Sequence, residues 1–191
     1  MKRLSMIAAL LLVACGSGNP PMTTATEPKP ALQASGPSGA LVNPDFEQTG
    51  GDNGTPGWIH TQHAGPPSYS MTTDSAGAYA GHGSFHMKRT LPQVYGSLQQ
   101  TLDARPYAGK TLELSAMLKT QGVGAEGWKL YITAQLPGAM AYSTGLTGDT
   151  GWQRDAVRLR IPENAHQLIV GVTLLDAGEG WMDDVELKTV N

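Results

Sequence analysis

An all-β sandwich is the fold predicted for this 191-residue chain, and three observations predict it. Segments of the second half alternate apolar and polar residues with period two, as a half-buried strand does. Gly and Pro stand at most junctions between those segments, as in "RPYAGK", "GDTGW" and "DAGEGW". No stretch repeats apolar residues at helical spacing over a useful length. Composition agrees: charged residues are 15% of the chain and glycine numbers 24, which suits strands and turns better than solvated helices.

Taken in chain order, the first segment lies outside the fold. "MKRLSMIAALLLVACGSG" opens with Lys2 and Arg3 and continues as an apolar run from Leu4 to Val13. That run is too short to span a bilayer and has the layout of a signal peptide. "LVAC", ending at Cys15, resembles the lipobox of bacterial lipoproteins. The resemblance implies cleavage before Cys15 and lipid on its sulfur and new N-terminus. With Gly16 rather than Asp next, it implies an outer-membrane destination in a Gram-negative cell envelope. Cys15 is the single cysteine, so no disulfide forms within the chain. Residues 16–39 are rich in Pro, Gly, Ser and Thr and read as a tether. The expected organisation is a signal peptide over 1–14, a lipidated tether over 15–39 and one domain over 40–191.

Within the domain, "LVNPDFE" begins like a strand, with Leu41, Val42 and Phe46, before Gly and Pro interrupt it and it reaches Trp58. "TLELSAMLKT" turns Leu112, Leu114, Ala116 and Leu118 one way and Glu113, Ser115, Met117 and Lys119 the other. "GWKLYITAQL" sends Trp128, Leu130, Ile132 and Ala134 inward and Lys129, Tyr131, Thr133 and Gln135 outward. "DAVRLRIP", "HQLIVGVTLLD" and "WMDDVELKTV" supply further strands. About ten short strands with one apolar face each describe a two-sheet β-sandwich with jelly-roll topology.

Four segments carry a family resemblance in this order: "LVNPDFE…PGW", "YAGKTLELSAMLKT", "GWQRDAVRLRIP" and "GEGWMDDVEL". Over nearly all of residues 40–191 the chain resembles the jelly-roll carbohydrate-binding modules of families four, nine and twenty-two, within the galactose-binding-like superfold. It also resembles sandwich domains that accompany bacterial hydrolases and regulators. The resemblance implies that the first and last strands lie side by side with a structural Ca²⁺ ion near their junction. Carried over to this sequence, Glu47 and Asp184 would supply carboxylates, with help from Asp45 or Asp183 and from carbonyls near Pro44 and residues 82–84. Such an oxygen-rich shell is the chemistry Ca²⁺ requires. The alternative for Glu47 is a strand-end residue that accepts backbone amides.

The residues themselves point to binding rather than catalysis. Trp58, Trp152 and Trp181 each follow Gly and read as structural, and Trp128 shares the face of Leu130 and Ile132. Tyr131 stands on the outward face with Lys129, Thr133 and Gln135. A ring beside hydrogen-bonding neighbours suits a sugar, whose C–H face stacks while its hydroxyls bond. Glu113, Ser115 and Lys119 are expected on an adjacent strand, and Tyr95 and Tyr142 in loops lining the same cleft. An ordinary solvent face is the alternative. The histidine spacings "HTQH" and "HGSFH" lack the convergence of a Zn²⁺ site. Ser84, His86 and Asp74 combine into a triad only on paper, without a "G-x-S-x-G" elbow. Net charge is −3 with no basic block, which excludes an electrostatic nucleic-acid surface. The expectation is a monomeric, non-enzymatic lipoprotein that binds carbohydrate; the alternative is an interaction protein that docks another envelope protein.

Overall fold

The computed structural model of the protein describes residues 40–134 and 139–191. The signal segment, Cys15, the tether and Gln135 lie outside the described residues. The described strands are β1 (Ile59–Gln62), β2 (Tyr69–Asp74), β3 (Ser84–Arg89), β4 (Gly96–Asp103), β5 (Thr111–Thr133), β6 (Met140–Tyr142), β7 (Leu146–Arg160), β8 (Gln167–Leu174) and β9 (Glu179–Val190), with one turn of 3₁₀ helix at Arg105–Tyr107. The strand order is β1-β4-β8-β5-β9-β3-β2, and β6 and β7 also pair with β5.

The long strand β5 makes a sandwich out of that order. Its first part, from Thr111 to Gln121, pairs with β9 and β7. Its last part, from Trp128 to Thr133, pairs with β8, and its end pairs with β6. One layer is therefore β2-β3-β9-β5-β7 and the other β1-β4-β8-β5-β6. Two segments expected as separate strands are one strand of 23 residues. The expected turn between them is a bend: Gly122 and Gly127 take φ of 62° and 84°, and the ladder with β7 shifts register across this stretch. As a result Glu113, Ser115 and Lys119 belong to the opposite layer from Tyr131, not to a strand beside it.

Period-two alternation decides what is buried. Leu112, Leu114, Ala116 and Leu118 are in the core, as are Trp128, Leu130, Ile132 and Ala134. Ser115 and Met117, expected to face solvent, are buried too. Asp183 stands opposite Met117 and accepts the Tyr79 and Ala80 amides at 2.9 and 3.1 Å, so the β2–β3 connection lies over this outer face. Arg154 covers Ser115, donating to its hydroxyl at 3.1 Å.

Residues 41–58 form no strand, contrary to the reading of "LVNPDFE". Asn43 and Phe46 have φ of 49° and 51°, two left-handed turns within four residues that break an extended run. The segment is instead tied down piecewise. The Phe46 ring is buried, the Val42 backbone exchanges two bonds with the Gln100 amide at 3.0 and 2.5 Å, and the Trp58 indole donates to the Asn43 carbonyl at 3.0 Å. The last strand bonds to it where the Val185 amide donates to the Pro44 carbonyl at 2.9 Å.

Candidate functional site

A cleft of about 280 Å³ opens on the outer face of the β1-β4-β8-β5-β6 layer. Strand register explains its walls. One row across the layer runs Tyr142, Tyr131, Gly171, Gln99 and Ile59, from β6 to β1. Thr173, Ser97 and Thr61 form the row on one side. Met140, Thr133 and Ile169 form the row on the other. Tyr95 closes the cleft from the loop before β4. None of the described residues lining it carries a formal charge.

Four expected site residues, Tyr95, Tyr131, Thr133 and Tyr142, are thus brought together. Two are not. Lys129 stands in the row of Thr173 but does not line the cleft, and its stem lies against Gly145. Gln135 lies outside the described residues. Tyr142 is on a strand rather than in a loop.

The role expected of Tyr131 changes. It is 7% exposed and forms floor, not platform. Gly171, opposite it on β8, has no side chain, and the Tyr131 hydroxyl reaches past that position to donate to Gln99 Oε1 on β4 at 2.8 Å. Burial pushes the Tyr131 phenol well above its ordinary range, only partly offset by a hydrogen bond with Ser97, so it stays a neutral hydrogen-bonding group. The exposed ring is Tyr142, at 49%, with its centroid 6.0 Å from that of Tyr131.

Sequence reasoning missed Gln99, Ser97, Thr61 and Thr173. Their only sequence signal was alternation, as in "GSLQQTL", where Leu98 and Leu102 point into the core and Ser97, Gln99 and Thr101 point away. Each reads as ordinary solvent face until four strands distant in sequence are laid side by side.

The acidic residues expected around Ca²⁺ divide between different partners. Glu47 Oε1 accepts the His82 and Gly83 amides at 2.7 and 3.1 Å. Asp183 is buried and accepts the Tyr79, Ala80 and Asp184 amides, and burial pushes its carboxyl above the usual range. Glu47 and Asp183 therefore hold the same 79–83 loop from the first segment and the last strand. Asp184, expected as a main ligand, pairs with Arg154 of β7, and Asp45 is exposed. A β-bulge opposite Ser115–Met117, where Asp184 has a φ of 49°, turns it away from its neighbour. Among the described residues no three His, Cys, Asp or Glu side chains gather as metal ligands.

The histidines and the paper triad resolve into other contacts. The His60 Nε2 and the Thr55 hydroxyl are 2.7 Å apart, and burial lowers the tendency of that imidazole to protonate. His86 meets Glu179 at 2.9 Å, while Asp74 accepts the Trp181 indole N–H at 2.9 Å.

No protein-family model matches the chain. Over 144 residues it is 30% identical to the uncharacterized HTH-type transcriptional regulator YbfP of Bacillus subtilis (strain 168), a match covering 71% of this chain and 48% of that protein. The chain thus spans about half the length of the curated relative it matches. Among solved structures, it superposes on the family 16 carbohydrate-binding module-2 with a TM-score of 0.56 at 19% identity, covering 78% of this chain and 98% of the module. It superposes on the CBM22-1–GH10 modules of Clostridium thermocellum endo-1,4-β-D-xylanase 10B, solved with xylohexaose, with a TM-score of 0.58 at 16% identity, covering 79% of this chain and 28% of that one. At such identities the likeness establishes the fold, and the fold is the jelly-roll sandwich of carbohydrate-binding modules.

Proposed function

We propose that this protein binds carbohydrate without catalysis, and that the ligand lies in the Tyr142–Tyr131–Gln99 cleft. One observation carries the reading: an uncharged cleft that joins the exposed Tyr142 ring to a floor of amide and hydroxyl groups. Rings suit the C–H face of a pyranose, and the floor suits its hydroxyls. The described walls hold no carboxylate, imidazole or thiol that could act as acid, base or nucleophile. Affinity electrophoresis of the full chain against a panel of soluble polysaccharides tests this. Tyr142→Ala is expected to weaken the retardation about tenfold, equivalent to roughly 1.4 kcal/mol, with an unchanged melting curve. If no polysaccharide retards the wild type, docking of an envelope protein takes the place of sugar binding, with the exposed Ile59, Leu91 and Val94 as its first contacts.

Lipid attachment at Cys15, with an outer-membrane location, is part of the same proposal and rests on "LVAC". Cys15→Ala should move the protein out of the membrane fraction and abolish labelling by a palmitate analogue. Equal labelling of both proteins would reject the anchor.

Ca²⁺ at the 79–83 loop is likewise proposed, with Glu47 and Asp183 as the carboxylates and loop carbonyls completing the shell. Its role would be structural: it would relieve a buried carboxylate and tie the first segment to the last strand. EDTA is then expected to lower the melting temperature and added Ca²⁺ to restore it, by an amount equivalent to about 2.7 kcal/mol at a hundredfold excess over Kd. An unchanged melting curve, with no metal found by elemental analysis, would remove Ca²⁺ from the account.

A further inference from the structure

The layer that faces away from the cleft carries a second cluster of rings, and nothing in the cleft needs it. Opposite each other on β3, β9 and β5 stand His86, Trp181 and Lys119. His86 stacks on Trp181 with centroids 4.4 Å apart and planes 12° apart. The Lys119 ammonium sits 4.5 Å from the centroid of the Trp181 ring. Farther along, Leu118 pairs with Gln153 and Thr120 with Thr150, so Gly151 and Trp152 together oppose Lys119 in a bulge. The Trp152 ring is half-buried and meets that of Tyr79, 5.9 Å away at 60°.

Tyr79 is 48% exposed, yet its loop is held firmly. Its amide and that of Ala80 bond to Asp183, those of His82 and Gly83 to Glu47, and that of Ala76 to Asp74 at 2.9 Å. Burying the Asp183 carboxylate costs free energy, and one result is a fixed aromatic corner at the surface. Lys119 adds the chemical character. Among the described residues it has no carboxylate partner, as is also true of Lys110, Lys129 and Arg160, but of these four cations Lys119 is the one that stands opposite Trp152.

We infer that Tyr79, Trp152 and Lys119 form a second binding site, for a carboxylated sugar such as a uronate. The corner of two rings offers a stacking face, and the Lys119 ammonium, which has no carboxylate partner, offers a charge-assisted bond to the carboxylate. The cleft, uncharged along its described walls, lacks that second element. The site stands on its own residues and does not depend on the cleft.

Isothermal titration of the full chain with oligogalacturonate, and with its methyl ester as the uncharged counterpart, tests the inference. The acid form is expected to bind, more weakly at high salt, and the ester to bind less. Lys119→Gln should cost about tenfold in affinity for the acid form, the loss of one hydrogen bond to a charged group, and leave the ester unaffected. Tyr79→Ala should weaken both. Melting curves of both variants establish that the fold persists. Absence of wild-type binding to oligogalacturonate would overturn the site. So would an unchanged affinity for the acid form in Lys119→Gln.

Discussion

Trp128→Ala is expected to cost about 3–5 kcal/mol of stability, the range for removing a large buried ring. Trp128 sits where β5 leaves one layer and joins the other, pairing with Leu146 of β7 and Leu174 of β8. It is fully buried, its indole donates to the Trp181 carbonyl at 3.1 Å, and it stacks on Phe85 with centroids 6.4 Å apart. Its ring also fills the space beside Gly180, where a Cβ would come within 2.6 Å of it. Truncation therefore removes the packing on which both layers close. For a domain of this size the loss corresponds to a fall in melting temperature on the order of 10 °C, measurable by calorimetry or circular dichroism. A fall of only a degree or two would mean that the bend in β5 is held by something other than this ring.

Gly171→Ala is expected to damage both stability and binding. Glycine in a strand interior is unfavourable unless a ligand or another backbone comes close, and here the backbone does. A Cβ at position 171 would collide with the Leu98 carbonyl oxygen and stand 3.0 Å from Gln99 Cα. Neither is a flexible side-chain tip, so β4 and β8 must part. Overpacking of this kind costs about 1–3 kcal/mol. The same displacement separates Gln99 from Tyr131, which now meet at 2.8 Å, and disturbs the cleft floor. The expected result is a lower melting temperature together with weaker polysaccharide retardation. Tyr131→Phe separates the two effects, because it removes the hydrogen bond without moving a strand. If Gly171→Ala binds and melts like the wild type, the floor is not organised by this glycine.

Glu47 illustrates how two readings of one residue are decided by the chain around it. Following Phe46 directly, it reads from sequence either as a metal ligand or as an acceptor of backbone amides. In the fold the left-handed turn at Phe46 drops that ring into the core and leaves Glu47 beside the 79–83 loop, where it takes two amides. A carboxylate of the last strand, Asp183, holds the same loop, but the neighbouring Asp184 does not. Which of two adjacent aspartates turns inward depends on a bulge in β9, and a bulge leaves no mark in residue type.

The sequence by itself determined the all-β class, the faces of the strands and the membership of the core. Burial of apolar surface acts residue by residue with a period of two: Leu112, Leu114, Ala116 and Leu118 follow it, as do Trp128, Leu130, Ile132 and Ala134, while Ser115, Met117 and Tyr131 on the alternate face are buried by what covers them. It also marked Tyr95, Tyr131, Thr133 and Tyr142 as neighbours in a cleft. Only the tertiary structure decided that the two segments flanking Gly122 and Gly127 are one strand, that Tyr131 lies in the floor while Tyr142 is exposed, and that Gln99, Ser97, Thr61 and Thr173 face them. These outcomes depend on which strands pair and in what register. Pairing is a choice among backbones that all offer the same donors and acceptors, and it is settled by how the whole set of apolar faces closes into one core.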